Sequence, residues 1–364
     1  MKKLLTLLPA ITFSRAIGFS HALVFLRALV FLRALVLTAA WTALWATAVL
    51  NPASVFAQDP IFSQFYAMPL QINPGFAGSA RAPRAGIAYR NQWTGFQSAY
   101  RTYAVYYEQS FDRLNSGIGF HLESDNAGDG IFKTNRFSAV YAYRLKVNDL
   151  IAIKLGLEMG LHQVNLNWDK LLFPDQIDNV EGFIYDTEEI RPDVTSRADL
   201  DISSGLLILS EKFYLGVGFK HLNTPSQSIL RLKNNLVPGL PIRYTFHGGT
   251  EWIVKKGNKR QEASFVSPNF LFVAQGPYKQ LNVGAYASLG SIFAGAWFRH
   301  TLRNSDAVIA LVGFREGPFK IGISYDATVS GLANKAGSTF ELTLGLVFRN
   351  RNPPDINDCT RMFQ

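Results

Sequence analysis

From Ile151 to His162 the side chains alternate without a break. Ile151, Ile153, Leu155, Leu157, Met159 and Leu161 are apolar, while Ala152, Lys154, Gly156, Glu158, Gly160 and His162 fill the places between them. A period of two sends successive residues to opposite faces of a strand, so this stretch offers one greasy face and one small or wet face. The pattern returns in Phe137, Ala139, Tyr141, Tyr143 and Leu145 against Ser138, Ala142, Arg144 and Lys146. It appears again in Leu342, Leu344, Leu346 and Phe348 against Glu341, Thr343 and Gly345. A chain written this way builds sheet, with hydrocarbon on one side of it.

Beyond residue 57 no run of 18 apolar residues occurs, which excludes a bundle of membrane helices. The alternation predicts fourteen strands, near 82–93, 100–110, 116–124, 133–147, 150–166, 198–210, 212–222, 241–255, 263–274, 280–289, 291–301, 306–315, 318–329 and 338–349. Most are joined by short turns such as Asn148-Asp149, Gly290 and Gly317-Pro318; longer connections fall at 167–197, 223–240 and 256–262. A propeller would repeat near every 40 residues, and no such repeat is present. A sandwich would need more long crossovers than the chain offers. An even number of strands, short turns and aromatic residues near strand ends (Tyr89, Trp93, Tyr106, Tyr107, Trp297, Phe298, Phe348) fit an up-and-down antiparallel transmembrane barrel over residues 81–349. The all-β class follows, and closure leaves no unpaired sheet edge in lipid.

The formal charge of +9 is misleading. Lys2, Lys3, Arg15, Arg27 and Arg33 precede the first acid, Asp59, so residues 58–364 hold only +4, too little to argue for nucleic acid. Residues 1–57 combine these basic residues with an apolar stretch from Ala34 to Leu50 and end in Val55-Phe56-Ala57, which predicts an export signal cleaved after Ala57. An uncleaved anchor is the competing reading, because 17 residues lie at the lower limit of a span. The sole cysteine, Cys359, excludes an intramolecular disulfide framework and a Cys-rich zinc site.

Residues 58–80, QDPIFSQFYAMPLQINPGFAGSA, are broken by Pro60, Pro69 and Pro74, which disfavour helix and withhold ladder donors. Their aromatics Phe62, Phe65, Tyr66 and Phe76 are too many for a free tail. The segment is expected to plug the barrel or fold on its periplasmic mouth, with Asn73 and Pro74 in its turn; a docking strip for a partner is the alternative. The connection 167–197 holds eight acids, among them Asp175 and Asp178 beside Tyr185. Their spacing matches no calcium loop, so a solvated charged loop is expected and no metal or cofactor is assigned. His121, His162, His221, His247 and His300 have no serine or cysteine singled out beside them, and no catalytic residue is assigned. Inward Lys154, Glu158, Arg144 and Lys146 are expected to pair in the lumen. The glycine pairs Gly117/Gly119, Gly156/Gly160 and Gly216/Gly218 each share a face, where they relieve crowding inside a barrel. Asn352-Pro353-Pro354 halts the last strand, and residues 350–364 are expected to form a basic periplasmic tail.

The opening QDPIFSQFYAMPLQINPGFAGS resembles the mature N-terminus of the PorP/SprF family, type IX secretion membrane proteins of Bacteroidota. AYRNQW (88–93), FPDQIDNVEGFIYDTEE (173–189), FYLGVGFKHLNTP (213–225), LPIRYTFHGG (240–249), SPNFLFVAQGPYKQLNVGAY (267–286), AGAWFRH (294–300) and KIGISYDATVSGL (320–332) follow in family order. The tail with Cys359 and Phe363 is similar to the family's ending. One departure stands out: Phe340 precedes Glu341 where the family commonly has His. The resemblance implies an outer-membrane barrel that supports export or surface attachment of a secreted protein, as in gliding motility or adhesin export, through contacts with that protein and with other secretion components. A passive porin or hydrophobic-solute transporter is the alternative. Phe62, Phe65, Tyr66, Asn73, Pro74, Phe76, Asp175, Asp178, Tyr185, Cys359 and Phe363 are the candidate plug or partner-contact residues.

Overall fold

The computed structural model describes residues 58–80, 82–96, 100–178, 180–226, 239–257, 263–331, 333–348 and 361–363. The candidate export signal and Cys359 lie outside these residues.

The strands are β1 (Arg84–Gln92), β2 (Tyr100–Phe111), β3 (Ser116–Ala127), β4 (Phe132–Lys146), β5 (Ile151–Leu166), β6 (Ile177–Asp178), β7 (Gly182–Phe183), β8 (Ser196–Ser210), β9 (Phe213–Lys220), β10 (Arg243–Thr250), β11 (Trp252–Lys255), β12 (Ser264–Gln275), β13 (Tyr278–Leu289), β14 (Ile292–His300), β15 (Ser305–Glu316), β16 (Phe319–Thr328) and β17 (Thr339–Val347). Short β6 and β7 pair with each other and stand apart from the main sheet. In that sheet sequence neighbours pair antiparallel, β5 meets β8, and β1 meets β17. The ring closes where β10 bonds to both β9 and β12. β10 and β11 both pair with β12 and form one stave interrupted at Glu251, so the closed barrel has fourteen staves.

The burial of β5 shows why this sequence closes in lipid. Ala152, Lys154, Glu158 and His162 are buried, whereas Leu155, Leu157, Met159 and Leu161 stand outside, Leu157 at 64% exposure. Outward apolar side chains recur around the barrel, including Tyr141, Val283, Val312 and Leu344. Such a surface is stable against hydrocarbon, where a soluble sheet would have to cover it. Among the described residues no helix is long and apolar enough to cross a membrane; the strands cross instead. Two of the expected girdle aromatics are exceptions: Tyr106 and Trp297 face the lumen. Alternation places each on its strand's inner face, which nearness to a strand end cannot reveal.

Most turns at one barrel end are short. At Asn148 the side chain accepts from the Leu150 and Ile151 amides at 2.9 and 2.8 Å, a local bond that fixes a tight reversal. Lys146, expected in the lumen, instead pairs with Asp149 in this same exposed turn at 2.8 Å; it lies at the end of β4, where the strand has run out of the barrel. The opposite end carries the long connections between β1 and β2, β5 and β8, β9 and β10, and β16 and β17.

Candidate functional site: a filled lumen and a long loop

Residues 58–80 lie inside the barrel. Their three prolines exclude strand but allow short turns: 3-10 turns at Phe65–Ala67 and Pro74–Phe76, and one helical turn at Pro69–Ile72, with Pro69 and Pro74 at first positions where the missing N–H costs nothing. The helix is a single turn, in keeping with prolines that disfavour a longer one. Phe62, Phe65, Tyr66, Asn73, Pro74 and Phe76, all expected as plug or contact residues, are buried against the wall.

At the long-connection end the segment is held by charge. Asp59 bonds to Arg136, to His221 Nε2 at 2.6 Å and to Arg243 at 3.1 Å, and its amide donates to Gln275 at 3.0 Å. Burial by itself raises the Asp59 carboxyl, but Arg136, His221 and Arg243 hold it well below the usual carboxylate range. His221 takes a left-handed backbone, φ 61°, at the end of β9 and turns its other ring nitrogen to Asp201 at 2.9 Å. Glu341 forms a second anchor: it accepts from the Ser63 and Gln64 amides at 2.7 and 2.9 Å and from Arg90. The Ser63 hydroxyl donates to Asp326 at 2.5 Å, and Asp326 also binds Arg299 at 2.7 Å. Gln71 donates to Glu123 at 2.6 Å and to the Pro60 carbonyl at 2.9 Å, drawing the two arms of the segment together.

Deeper in the lumen the contacts become aromatic. Phe65 meets Trp297 at 5.8 Å and Tyr66 meets Tyr286 at 5.1 Å. The ammonium of Lys320 lies 5.2, 5.5 and 5.3 Å from the rings of Tyr66, Tyr286 and Phe293, within cation–π range. From the short-turn end the chain's own C-terminal residues enter: Phe363 packs on Phe76 at 4.5 Å and Tyr214 at 5.2 Å. Arg361 pairs with Glu251 at 2.9 Å, and the Met362 carbonyl accepts from Lys320 at 3.1 Å. Residues 361–363 are therefore buried in the lumen rather than part of a tail outside it.

Asn73 is the pivot of the segment. Its Nδ2 donates to the carbonyls of Leu206 and Val217, at 3.0 and 3.1 Å, on two adjacent wall strands, while its Oδ1 accepts from Gly75 at 2.8 Å. The wall opposite is smooth. A Cβ on Gly156 would collide with the Pro74-Gly75 backbone, and one on Gly117 with the Ala77 carbonyl. The inward glycines thus let the segment's backbone lie directly on the sheet. Lys154, expected to bond within the lumen, donates to the Ala77 carbonyl at 2.6 Å and to Ser79 Oγ at 3.1 Å; Glu158 pairs with Lys220.

A family model described as type IX secretion system membrane protein PorP/SprF matches residues 54–346. The chain belongs to this family. No curated protein matches it. Among solved structures it is similar to the toluene transporter TbuX of Ralstonia pickettii, at 9% identity over 78% of this chain and 94% of that one with TM-score 0.48. It is also similar to the toluene transporter TodX of P. putida, at 8% identity over 77% and 93% with TM-score 0.43, and to a Pseudomonas aeruginosa FadL homologue, at 11% over 76% and 93% with TM-score 0.37. These likenesses are of barrel architecture alone.

Phe340, the position at which the resemblance implied a departure, does not face the lumen in this PorP/SprF chain. Phe340 points outward and is partly exposed, while Glu341 is fully buried. The other expected contact residues lie elsewhere: Asp175, Asp178 and Tyr185 belong to the exposed connection between β5 and β8 and do not join the lumen group. Asp178 accepts from the Val180 and Glu181 amides at 2.7 and 3.0 Å, and these bonds lower its carboxyl. Asp59, Arg136, His221 and Arg243 are not among the candidate contact residues expected from sequence. Arg136 and Arg243 interrupt or begin apolar alternation at inward positions of β4 and β10, the signal that would have found them; His221, one residue past β9 and on its outward register, is turned inward only by its left-handed backbone.

Proposed function

We propose that this outer-membrane barrel is a non-catalytic component of the type IX secretion system, integral to the membrane, that supports export or surface attachment of a secreted partner through protein contacts. The family match supports the secretion role, and the observation that carries the scaffold reading is the filled lumen. Residues 58–80 occupy it, polar anchors hold them at one end, and residues 361–363 pack beneath. A passive porin needs a continuous wet channel, and these side chains stand where that channel would run. Short turns on one side and long connections on the other, together with both ends of the barrel sequence at the short-turn side, support an orientation with the long connections outside the cell. Partners are then the secreted protein and other secretion components.

The test is twofold. Deleting the gene should abolish surface appearance of the partner without loss of other outer-membrane proteins, and the purified chain should fail to conduct in planar bilayers. Steady single-channel conductance with normal partner display would overturn the proposal in favour of a porin or solute transporter.

A further inference from the structure

The connection between β5 and β8 is internally organised yet leaves its apolar side chains uncovered. Trp168 packs on Phe173 at 4.9 Å, and the Gln176 side chain accepts from the Phe173 amide at 2.9 Å. Asp175 accepts from Thr187 Oγ1 and the Glu188 amide, at 2.9 and 2.7 Å. Arg191 reaches Asp169 at 3.2 Å. The loop thus uses part of its acidity to hold a shape. What that shape displays is apolar: Val180 is 92% exposed and Ile190 88%, with Leu172 and Phe183 also exposed. These residues lie in a connection beyond the strands, so the hydrocarbon that covers Leu157 does not account for them. Between them stand Glu181, Asp186, Glu188 and Glu189, with Asp193 just beyond, against Lys170 and Arg191 as the only cations from 167 to 195. An anionic membrane surface would repel this loop. The β6–β7 hairpin pairs with no other strand among the described residues, so its outer edges hold backbone donors and acceptors open to another chain.

We infer that this loop is a docking surface for an extended protein segment in which basic and apolar residues alternate, lying along the β6–β7 hairpin. Such a segment would bond to the strand edge, set its apolar side chains on Val180, Phe183 and Ile190, and oppose its cations to the loop's free carboxylates, a form of β-strand addition. The inference rests on the scaffold reading above and names the kind of partner segment it would hold.

The full chain, in nanodiscs of neutral phosphatidylcholine, is titrated with a fluorescent peptide of alternating Lys and Val. A peptide of alternating Glu and Val at equal length is the control. The expected result is saturable binding of the Lys-Val peptide at least about tenfold tighter than of the control, a difference of roughly 1.4 kcal/mol. That binding should weaken by about tenfold or more in the double variant Glu181→Lys/Glu189→Lys, and separately in Val180→Asn/Ile190→Asn. Equal binding of the two peptides, equal binding to empty discs, or affinity unchanged in both variants overturns it. In cells, partner display lost on gene deletion but intact in both loop variants would sink the loop inference while leaving the scaffold reading standing. Display unaffected by gene deletion would sink that reading instead.

Discussion

The two halves of the lumen hold the same segment by different physics. Near the long connections, Asp59, Ser63, Gln64 and Gln71 meet carboxylates and guanidinium groups in directional bonds. Near the short turns, Phe65, Tyr66, Phe76 and Phe363 meet Trp297, Tyr286 and Tyr214 in ring contacts. Buried ion pairs position a chain strongly but add little net stability, because desolvation offsets their attraction. Aromatic burial is less exacting about geometry and contributes more. The polar half therefore sets where the segment sits, and the aromatic half keeps it there.

The sharpest way to break this contrast is Glu341→Ala. It leaves Arg90 and two amides buried without their acceptor, which is expected to cost about 3–5 kcal/mol. Urea unfolding in detergent micelles should register the loss, and limited proteolysis should show cleavage within residues 58–80. Resistance equal to wild type would mean the anchor is redundant. Phe76→Ala tests the other half. It removes a ring stacked on Phe363 and His247 and should cost about 3 kcal/mol. The segment should stay protease-resistant at its Asp59 end while the short-turn end loosens; cleavage first near Asp59 would reverse the assignment of roles.

Acid sharpens the comparison further, because the polar half hangs on the charge of the Asp59 carboxylate. The Asp59 carboxyl is held below its ordinary value of about 3.9. Its contribution is then complete above that value and is lost as pH falls through the depressed folded value. Protection of residues 58–80 should not vary between neutral pH and about pH 5 on account of this group. The difference in stability between wild type and Asp59→Asn should shrink below about pH 4. A difference that shrinks near neutral pH would show that His221, not Asp59, controls the clamp.

The barrel was legible because a membrane sheet writes its two environments into alternate residues. On β5 the greasy set is the exposed set, Leu155 to Leu161. The aromatic content of residues 58–80 also pointed to burial, and the inward glycines now have a partner in the backbone of Pro74-Gly75 and Ala77. Less was legible where one residue could serve either face. Trp297 reads as a girdle aromatic, yet its indole donates to Asn269 inside the lumen at 2.7 Å. The meeting of Asp59 with Arg136, His221 and Arg243 joins positions up to 184 residues apart, and no local pattern encodes such a distance. Likewise, Phe363 is buried against Phe76 and Tyr214, partners that meet only once the barrel has closed.

The smallest expected effect concerns neighbours on opposite faces. Phe340 and Glu341 are adjacent in sequence, but alternation sends one toward lipid and the other to the Ser63 and Gln64 amides. The substitution Phe340→His places a polar ring near the end of β17, close to the interface, where such changes cost about 0–1 kcal/mol. Unfolding should shift little, and proteolysis of residues 58–80 should match wild type. If instead Phe340→His loosened the segment as Glu341→Ala does, the outer face would be coupled to the lumen, and the two halves could not be treated as independent of the lipid around them.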